Sequence, residues 1–292
     1  MRHVLTLISR TPFQRNALLI QQLRAVLNPV RLVWLSDTAV DLDLNDTIPS
    51  PLLMETLKLA DAAGVDAIYQ PAEGREKKAL IADMDSTMIE QECIDELADL
   101  IGLREHIAGI TTRAMNGELD FADALRARVA LLKGLCVGDL ARVYEERITL
   151  MSGAYTLVQT MRARGAATML ISGGFTFFVT QVALAIGFDH DDGNELIFDA
   201  QGRLTGAVAD PILGASAKRD ALVALAELYR LPLAATLAVG DGANDLPMLQ
   251  TAGLGVAYHA KPIVEAAAPA RIRHNDLTAL LYLQGIAKAD WK

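Results

Sequence analysis

Three short apolar runs, residues 79–82, 168–171 and 236–239, each stop at a turn rich in glycine, serine or acid. Runs of this length bounded by such turns read as strands, and helical stretches lie between them. Strands alternating with helices make a parallel sheet, and the turns then share its C-terminal edge. In open α/β sheets that edge is where ligands bind. The turns are Asp83-Met84-Asp85-Ser86-Thr87, Ser172-Gly173-Gly174 and Gly240-Asp241-Gly242-Ala243-Asn244-Asp245.

The chain before residue 78 follows a different pattern. Residues 3–8 read as a strand, 15–27 as a helix opened by Pro12, and 30–35 and 39–44 as adjacent strands. A helix from Pro49-Ser50-Pro51 to residue 62 and a strand over 65–69 complete a βαββαβ order, that of a ferredoxin-like α+β module. The expected organisation is therefore a small domain at 1–72, a polar linker at 73–78, and an α/β domain at 79–292 with a parallel sheet. Residues 89–150 read as helical throughout and suggest a cap inserted after the first strand, at about 89–150. Residues 194–198 and 203–206 flank Asp199-Ala200-Gln201-Gly202 as a hairpin.

Composition narrows the classes of function. The chain is 52% hydrophobic but only 5% aromatic, which favours aliphatic, helix-rich α/β packing over a β-sandwich. A net charge of -9 argues against a nucleic-acid partner or an anionic membrane surface. An anionic substrate remains compatible, since a bound cation reverses the local sign. Cys93 and Cys136 are too few for a disulfide framework or a zinc site and read as reduced thiols. Arg2, Arg10 and Arg15 interrupt any leader-like apolar run, and no uncharged run is long enough to span a bilayer. The expected location is cytoplasmic.

The turn residues supply the parts needed to hydrolyse a phosphomonoester through an enzyme carboxylate. Asp83 is placed as nucleophile, since an ordinary carboxyl with pKa near roughly 4 is ionised at neutral pH without a base. Asp85 is placed for acid/base work. Ser172 with Gly173 and Gly174, leading into a helix near residue 175, forms a phosphate cradle. Lys218, at the start of a helix running to residue 228, adds a fixed positive charge beside the phosphoryl group and Asp83. Mg²⁺ prefers octahedral oxygen ligands; Asp83, the backbone carbonyl of Asp85 and Asp241 fit, with Asp245 supporting from behind. Each segment alone has a bland reading: an Asx-turn, a glycine turn, a solvated lysine. The last segment lacks the ligand spacing and final glutamate of a calcium loop. Together and in this order they point to Mg²⁺-dependent phosphoryl transfer through an aspartyl-phosphate.

On these motifs the region from about residue 78 onward resembles the haloacid dehalogenase superfamily, and within it the phosphoserine phosphatases. The resemblance implies a Rossmann-like core with a helical cap, Mg²⁺ as cofactor, and hydrolysis of O-phospho-L-serine to L-serine and phosphate, the last step of serine biosynthesis. By motif position Asp83 matches the nucleophile, Asp85 the general acid/base, Ser172 and Gly173 the phosphate binders, and Lys218 the family's lysine. Asp241 matches a metal ligand, and Asn244 and Asp245 match positions serving the phosphate and the metal. In the cap, Glu92 matches a carboxylate that meets the substrate ammonium, and Arg128 an arginine that grips its carboxylate. Met115 and Phe121 match the apolar wall. The first 72 residues resemble an ACT-like domain, although Ser9-Arg10-Thr11-Pro12 lacks the glycine often found in its ligand turn; a regulatory, a structural and a homodimer-forming role stay open. The alternatives are a phosphatase or phosphotransferase for another small ester such as phosphohomoserine, and a non-catalytic amino-acid sensor.

Overall fold

The computed structural model describes residues 2–115 and 119–292, positions 114 and 115 by backbone alone. The first unit runs β1 (His3–Ser9), α1 (Ala17–Leu27), β2 (Arg31–Trp34), β3 (Ala39–Leu44), α2 (Ser50–Ala62) and β4 (Val65–Pro71). Asn28 ends α1 in the left-handed region at φ 44°, its N–H bonded to the Arg24 carbonyl. Proline in the first turn of α2 loses no helical hydrogen bond, which suits Pro49-Ser50-Pro51 to a helix start. The antiparallel sheet has the order β2-β3-β1-β4, so the expected βαββαβ arrangement forms.

One face of this sheet packs under α1 and α2 through Leu5, Leu7, Leu19, Leu23, Leu42 and Ala60. On its other face Ile8, Ala39 and Ile68 join the main core. Asp66 of β4, 4% exposed, accepts the backbone N–H groups of Arg273, His274 and Asn275. The polar run 73–78 is docked rather than free. Lys77 is buried, and its ammonium donates to the carbonyls of Gly74 and Ala234.

The second unit begins with β5 (Ala79–Ala82), every residue of which is fully buried. It continues through α3 (Cys93–Leu100), α4 (Arg104–Met115), α5 (Phe121–Leu131), α6 (Val137–Arg147), α7 (Ala154–Ala163), β6 (Ala167–Phe175), α8 (Thr176–Ile186) and β7 (His190–Asn194). Next come the hairpin β8 (Leu196–Phe198) and β9 (Leu204–Val208), then α9 (Ala215–Leu228), β10 (Thr236–Gly240), α10 (Leu246–Thr251), β11 (Leu254–Tyr258), α11 (Pro262–Ala267), β12 (Ala270–Ile272) and α12 (Ala279–Leu283). The sheet order is β12-β11-β10-β5-β6-β7, parallel at every pairing. Successive strands leave β5 first toward β6 and β7, then return to β10 on its other side. The crevice between β5 and β10 is thus a switch point, the usual ligand site of such sheets.

Helices α3 to α6 form the expected cap. Its neck is a single antiparallel bridge between Ile89 and Leu150, with Glu90 N–H on Thr149 O and Met151 N–H on Met88 O. The hairpin joins the cap: Gly134 N–H bonds Leu204 O and Leu204 N–H bonds Leu135 O. One local expectation is corrected. Ser172-Gly173-Gly174 does not lead out of the strand; β6 continues to Phe175, which pairs with Asn194 across an irregular register, and α8 starts at Thr176.

Candidate active site

Asp83 follows β5 directly, its N–H on Val239 O of β10, which fixes it over the switch point. Lys218, wholly buried in the first turn of α9, places Nζ 2.7 Å from Asp83 Oδ1 and 2.7 Å from Asp245 Oδ1. Met84 N–H also donates to Asp83 Oδ1, at 2.8 Å. Both of these contacts fall on one oxygen, leaving Oδ2 to a substrate. The Asp83 carboxyl sits well above the usual carboxylate range, because burial and the Asp245 charge outweigh Lys218. Burial thus moves Asp83 away from the ordinary carboxyl value, and positive charge at the site, Lys218 included, favours its ionised form. Burial acts against the Lys218 ammonium too, but Asp245 and Asp83 overcome it and hold Lys218 above its ordinary range.

Asp83, Asp241 and Asp245 each offer an oxygen within 4.8 Å of the others. Burial, then the Asp245 charge, push Asp241 up to about 6. Thr87 Oγ1 donates to Asp241 Oδ1 at 3.2 Å, and Gly242 N–H donates to Asp245 Oδ2 at 2.9 Å. Asp245 therefore has one oxygen on Lys218 and the other on the Gly242 amide. Three carboxylates around one ammonium carry excess negative charge, a donor set that suits a hard dication.

Asp85 is gripped at both oxygens: Cys93 N–H donates to Oδ1 at 2.9 Å and Ser172 Oγ to Oδ2 at 3.0 Å. Burial raises its carboxyl from the ordinary value despite these bonds. Ser172 thus holds Asp85 and in turn accepts Gly174 N–H at 2.8 Å. The glycines are required by close approach. A Cβ at Gly174 would lie 2.8 Å from Asp85 Oδ2, and one at Gly173 2.9 Å from Phe121 Cζ in the cap. Asn194 was not foreseen from sequence. Its amide donates to Gly173 O and Leu213 O and accepts Leu213 N–H, tying β7 and the approach to α9 to the glycine end of β6. A lone asparagine at the end of a polar strand gives no sequence signal for this.

Across the crevice, Glu92 caps α3 and accepts Ser86 Oγ at 2.7 Å. It keeps contact with solvent through the cleft, yet enclosing protein and then the Asp85 charge push it up to about 7. Arg128 donates Nε to Ala124 O at 3.2 Å and lies in the field of Glu92, Asp95 and Asp85, while burial lowers its guanidinium. Asp95, one turn beyond Glu92, joins this charged group and was not singled out from sequence. Phe121, half-buried, packs on Gly173. The side chain of Met115 lies outside the described residues. Asn244, half-buried, folds its Oδ1 over Gly242 beside Asp241. The sequence-predicted polar residues therefore gather around one crevice between sheet and cap.

Residues 80–250 match the model of the haloacid dehalogenase-like hydrolases. The chain is 45% identical over 205 residues to the phosphoserine phosphatase of Haemophilus influenzae, a match covering 70% of this chain and 64% of that protein. Against the phosphoserine phosphatase of Albidiferax ferrireducens it is 39% identical over 235 residues, covering 79% of this chain and 99% of that protein. The fold superposes on the crystal structure of a HAD family hydrolase from Salmonella enterica serovar Typhi with a TM-score of 0.87 at 30% identity, over 97% of this chain and 98% of that one. The chain thus spans less than two thirds of the Haemophilus protein and nearly all of the Albidiferax one.

Proposed function

Since the chain belongs to the haloacid dehalogenase-like hydrolases, we propose that its crevice hydrolyses O-phospho-L-serine to L-serine and phosphate through an aspartyl-phosphate on Asp83. The observation that carries this reading is the Lys218 ammonium shared between Asp83 Oδ1 and Asp245 Oδ1, beside an Asp85 held at both oxygens.

With Oδ1 held by Lys218 and the Met84 amide, Oδ2 of Asp83 attacks phosphorus, and the bond to the serine oxygen breaks. Asp85, whose carboxyl burial raises from its ordinary value, is placed to give a proton to the departing alkoxide. It then takes a proton from the water that cleaves the aspartyl-phosphate and releases inorganic phosphate. Lys218 remains charged and offsets negative charge on the phosphoryl oxygens. The cluster of Asp83, Asp241 and Asp245 suits Mg²⁺: Asp83 and Asp241 would hold it with Asp245 behind, and by motif position the Asp85 carbonyl would be a further ligand. When bound, the ion supplies positive charge to the phosphoryl oxygens and to these carboxylates. EDTA is expected to abolish phosphate release and added Mg²⁺ to restore it; unchanged rates in EDTA would contradict this part.

Glu92 and Arg128 select the amino acid, an ammonium on the first and a carboxylate on the second. Arg128→Ala is expected to raise KM for phosphoserine about 10–100-fold, the worth of a charge-assisted hydrogen bond. An ester without a carboxylate should be affected little; equal effects on both would make Arg128 structural. Glu92 adds a pH dependence. A carboxyl raised to about 7 takes an ammonium as an ion only above that pH, so KM should fall as pH rises from about 6 to about 8. Glu92→Gln should flatten that dependence. The same slope in the variant would assign it to ionisation of the substrate phosphate.

A further inference from the structure

The loop 273–278, between β12 and α12, touches both the first unit and the neck of the cap. On one side the first unit holds it. Asp66 of β4 takes the N–H groups of Arg273 at 2.8 Å, His274 at 3.1 Å and Asn275 at 3.0 Å, and the Asn275 side-chain amide at 2.8 Å. That amide also donates to the Ile8 carbonyl of β1 at 3.0 Å, and Arg10 Nε donates to the His274 carbonyl. Asp61 of α2 meets Arg273 Nη1 at 2.7 Å and the His274 ring at 2.9 Å. One buried carboxylate thus satisfies three consecutive backbone amides, which fixes the path of the main chain there.

On the other side the same loop holds the exit of the cap. Ser152 Oγ donates to Asp276 Oδ2 at 2.9 Å, and Leu277 N–H donates to the Ser152 carbonyl at 3.2 Å. Gly153, at φ 82°, comes so close that a Cβ there would stand 2.7 Å from the Thr278 nitrogen. Just before it, Met151 N–H bonds Met88 O, Leu150 bridges Ile89, and Thr149 O takes Glu90 N–H, two residues before Glu92. Both chain connections of the cap pass through this neck.

We propose that the first unit braces the cap, with Asp66 as a positioning residue that acts through loop 273–278 on the neck and so on Glu92. The first unit then serves turnover without a ligand of its own. Coupling between distant parts of a protein is carried by such unbroken chains of hydrogen bonds and packed groups.

The test is hydrogen exchange read by mass spectrometry on the full chain, wild type beside Asp66→Asn. The amide loses the charge that holds three N–H groups and turns a donor toward them. Exchange in the loop and in the neck, residues 88–92 and 149–153, should speed up about tenfold, the scale of one lost charge-assisted bond. Buried β10 should keep its rate. Asn275→Ala removes only the side-chain bonds to Ile8 and Asp66 and should act in the same direction; it decides the question if Asp66→Asn speeds exchange in β10 too. With the ester that wild type hydrolyses fastest, KM should rise about 3–10-fold and kcat change less, since Asp83 and Lys218 hang on core elements. The kinetic result rests on the proposed activity and the exchange result does not. No turnover of any ester would therefore sink the activity and leave the brace to be judged by exchange. A faster loop beside an unchanged neck, an unchanged loop in both variants, or kcat lost at constant KM would overturn the proposal.

Discussion

Asp83→Asn is expected to lower phosphate release by about 10⁴-fold or more while the chain stays folded, the scale of loss when a covalent nucleophile is removed. The amide is isosteric, so packing around β5 and the Met84 N–H contact to Oδ1 can persist. What disappears is the anionic oxygen that forms the bond to phosphorus. Lys218 keeps its partner in Asp245, so the buried ammonium is not stranded and the fold loses little. Circular dichroism and melting would establish folding, and a phosphate-release assay would read turnover. Activity near wild type in a folded variant would remove the aspartyl-phosphate from the mechanism.

Lys218→Met should damage both stability and catalysis. Lys218 is fully buried and is the ammonium between Asp83 and Asp245, so methionine strands buried carboxylates against one another. Breaking a buried pair by removing one partner costs about 3–5 kcal/mol. The sign of the pH dependence follows from Asp83. Burial and Asp245 already hold its folded pKa above the unfolded value, and without Lys218 the group holding it down is gone. A carboxyl raised in the folded state destabilises as it is forced to ionise, so the deficit is small near pH 4 and grows toward pH 8. Urea denaturation of wild type and variant in EDTA, at both pH values, measures it. An equal deficit at both would mean lost packing rather than stranded charge. Turnover should fall as well, since the phosphoryl oxygens lose a fixed cation.

The parts legible in the sequence were those in which local pattern and chemistry coincide. Buried β5 shows as Ala79-Leu80-Ile81-Ala82, and its exit carries Asp83 and Asp85 because the strand ends where ligands bind. The βαββαβ unit was readable because Pro49 and Pro51 mark the start of α2, Pro12 precedes the 3-10 turn that leads into α1, and β1 and β3 carry apolar residues that are buried. Strand β7 was not readable: His190-Asp191-Asp192-Gly193-Asn194 is polar and pairs along only one edge of β6, at the edge of the sheet. Strand β12 has three residues, too few for periodicity. Ser172-Gly173-Gly174 looked like a turn because glycine favours turns, but pairing of Phe175 with Asn194 keeps it extended. Asp95 and Asn194 act through long-range packing that no spacing encodes. The same holds for the raised carboxyls of Asp83 and Glu92, which depend on burial created by the cap and the whole sheet.

The measurement that bears most directly on the proposed activity is inorganic phosphate release from a panel of small phosphomonoesters with Mg²⁺, wild type beside Asp83→Asn. The expected result is phosphoserine far ahead of phosphothreonine, sugar phosphates and p-nitrophenyl phosphate, with the variant inactive on all of them. A different ester turned over best would keep Asp83, Asp85 and Lys218 in their roles and remove Glu92 and Arg128 as selectors of an amino acid. No release from any ester, or release that survives Asp83→Asn, would contradict hydrolysis at this carboxylate.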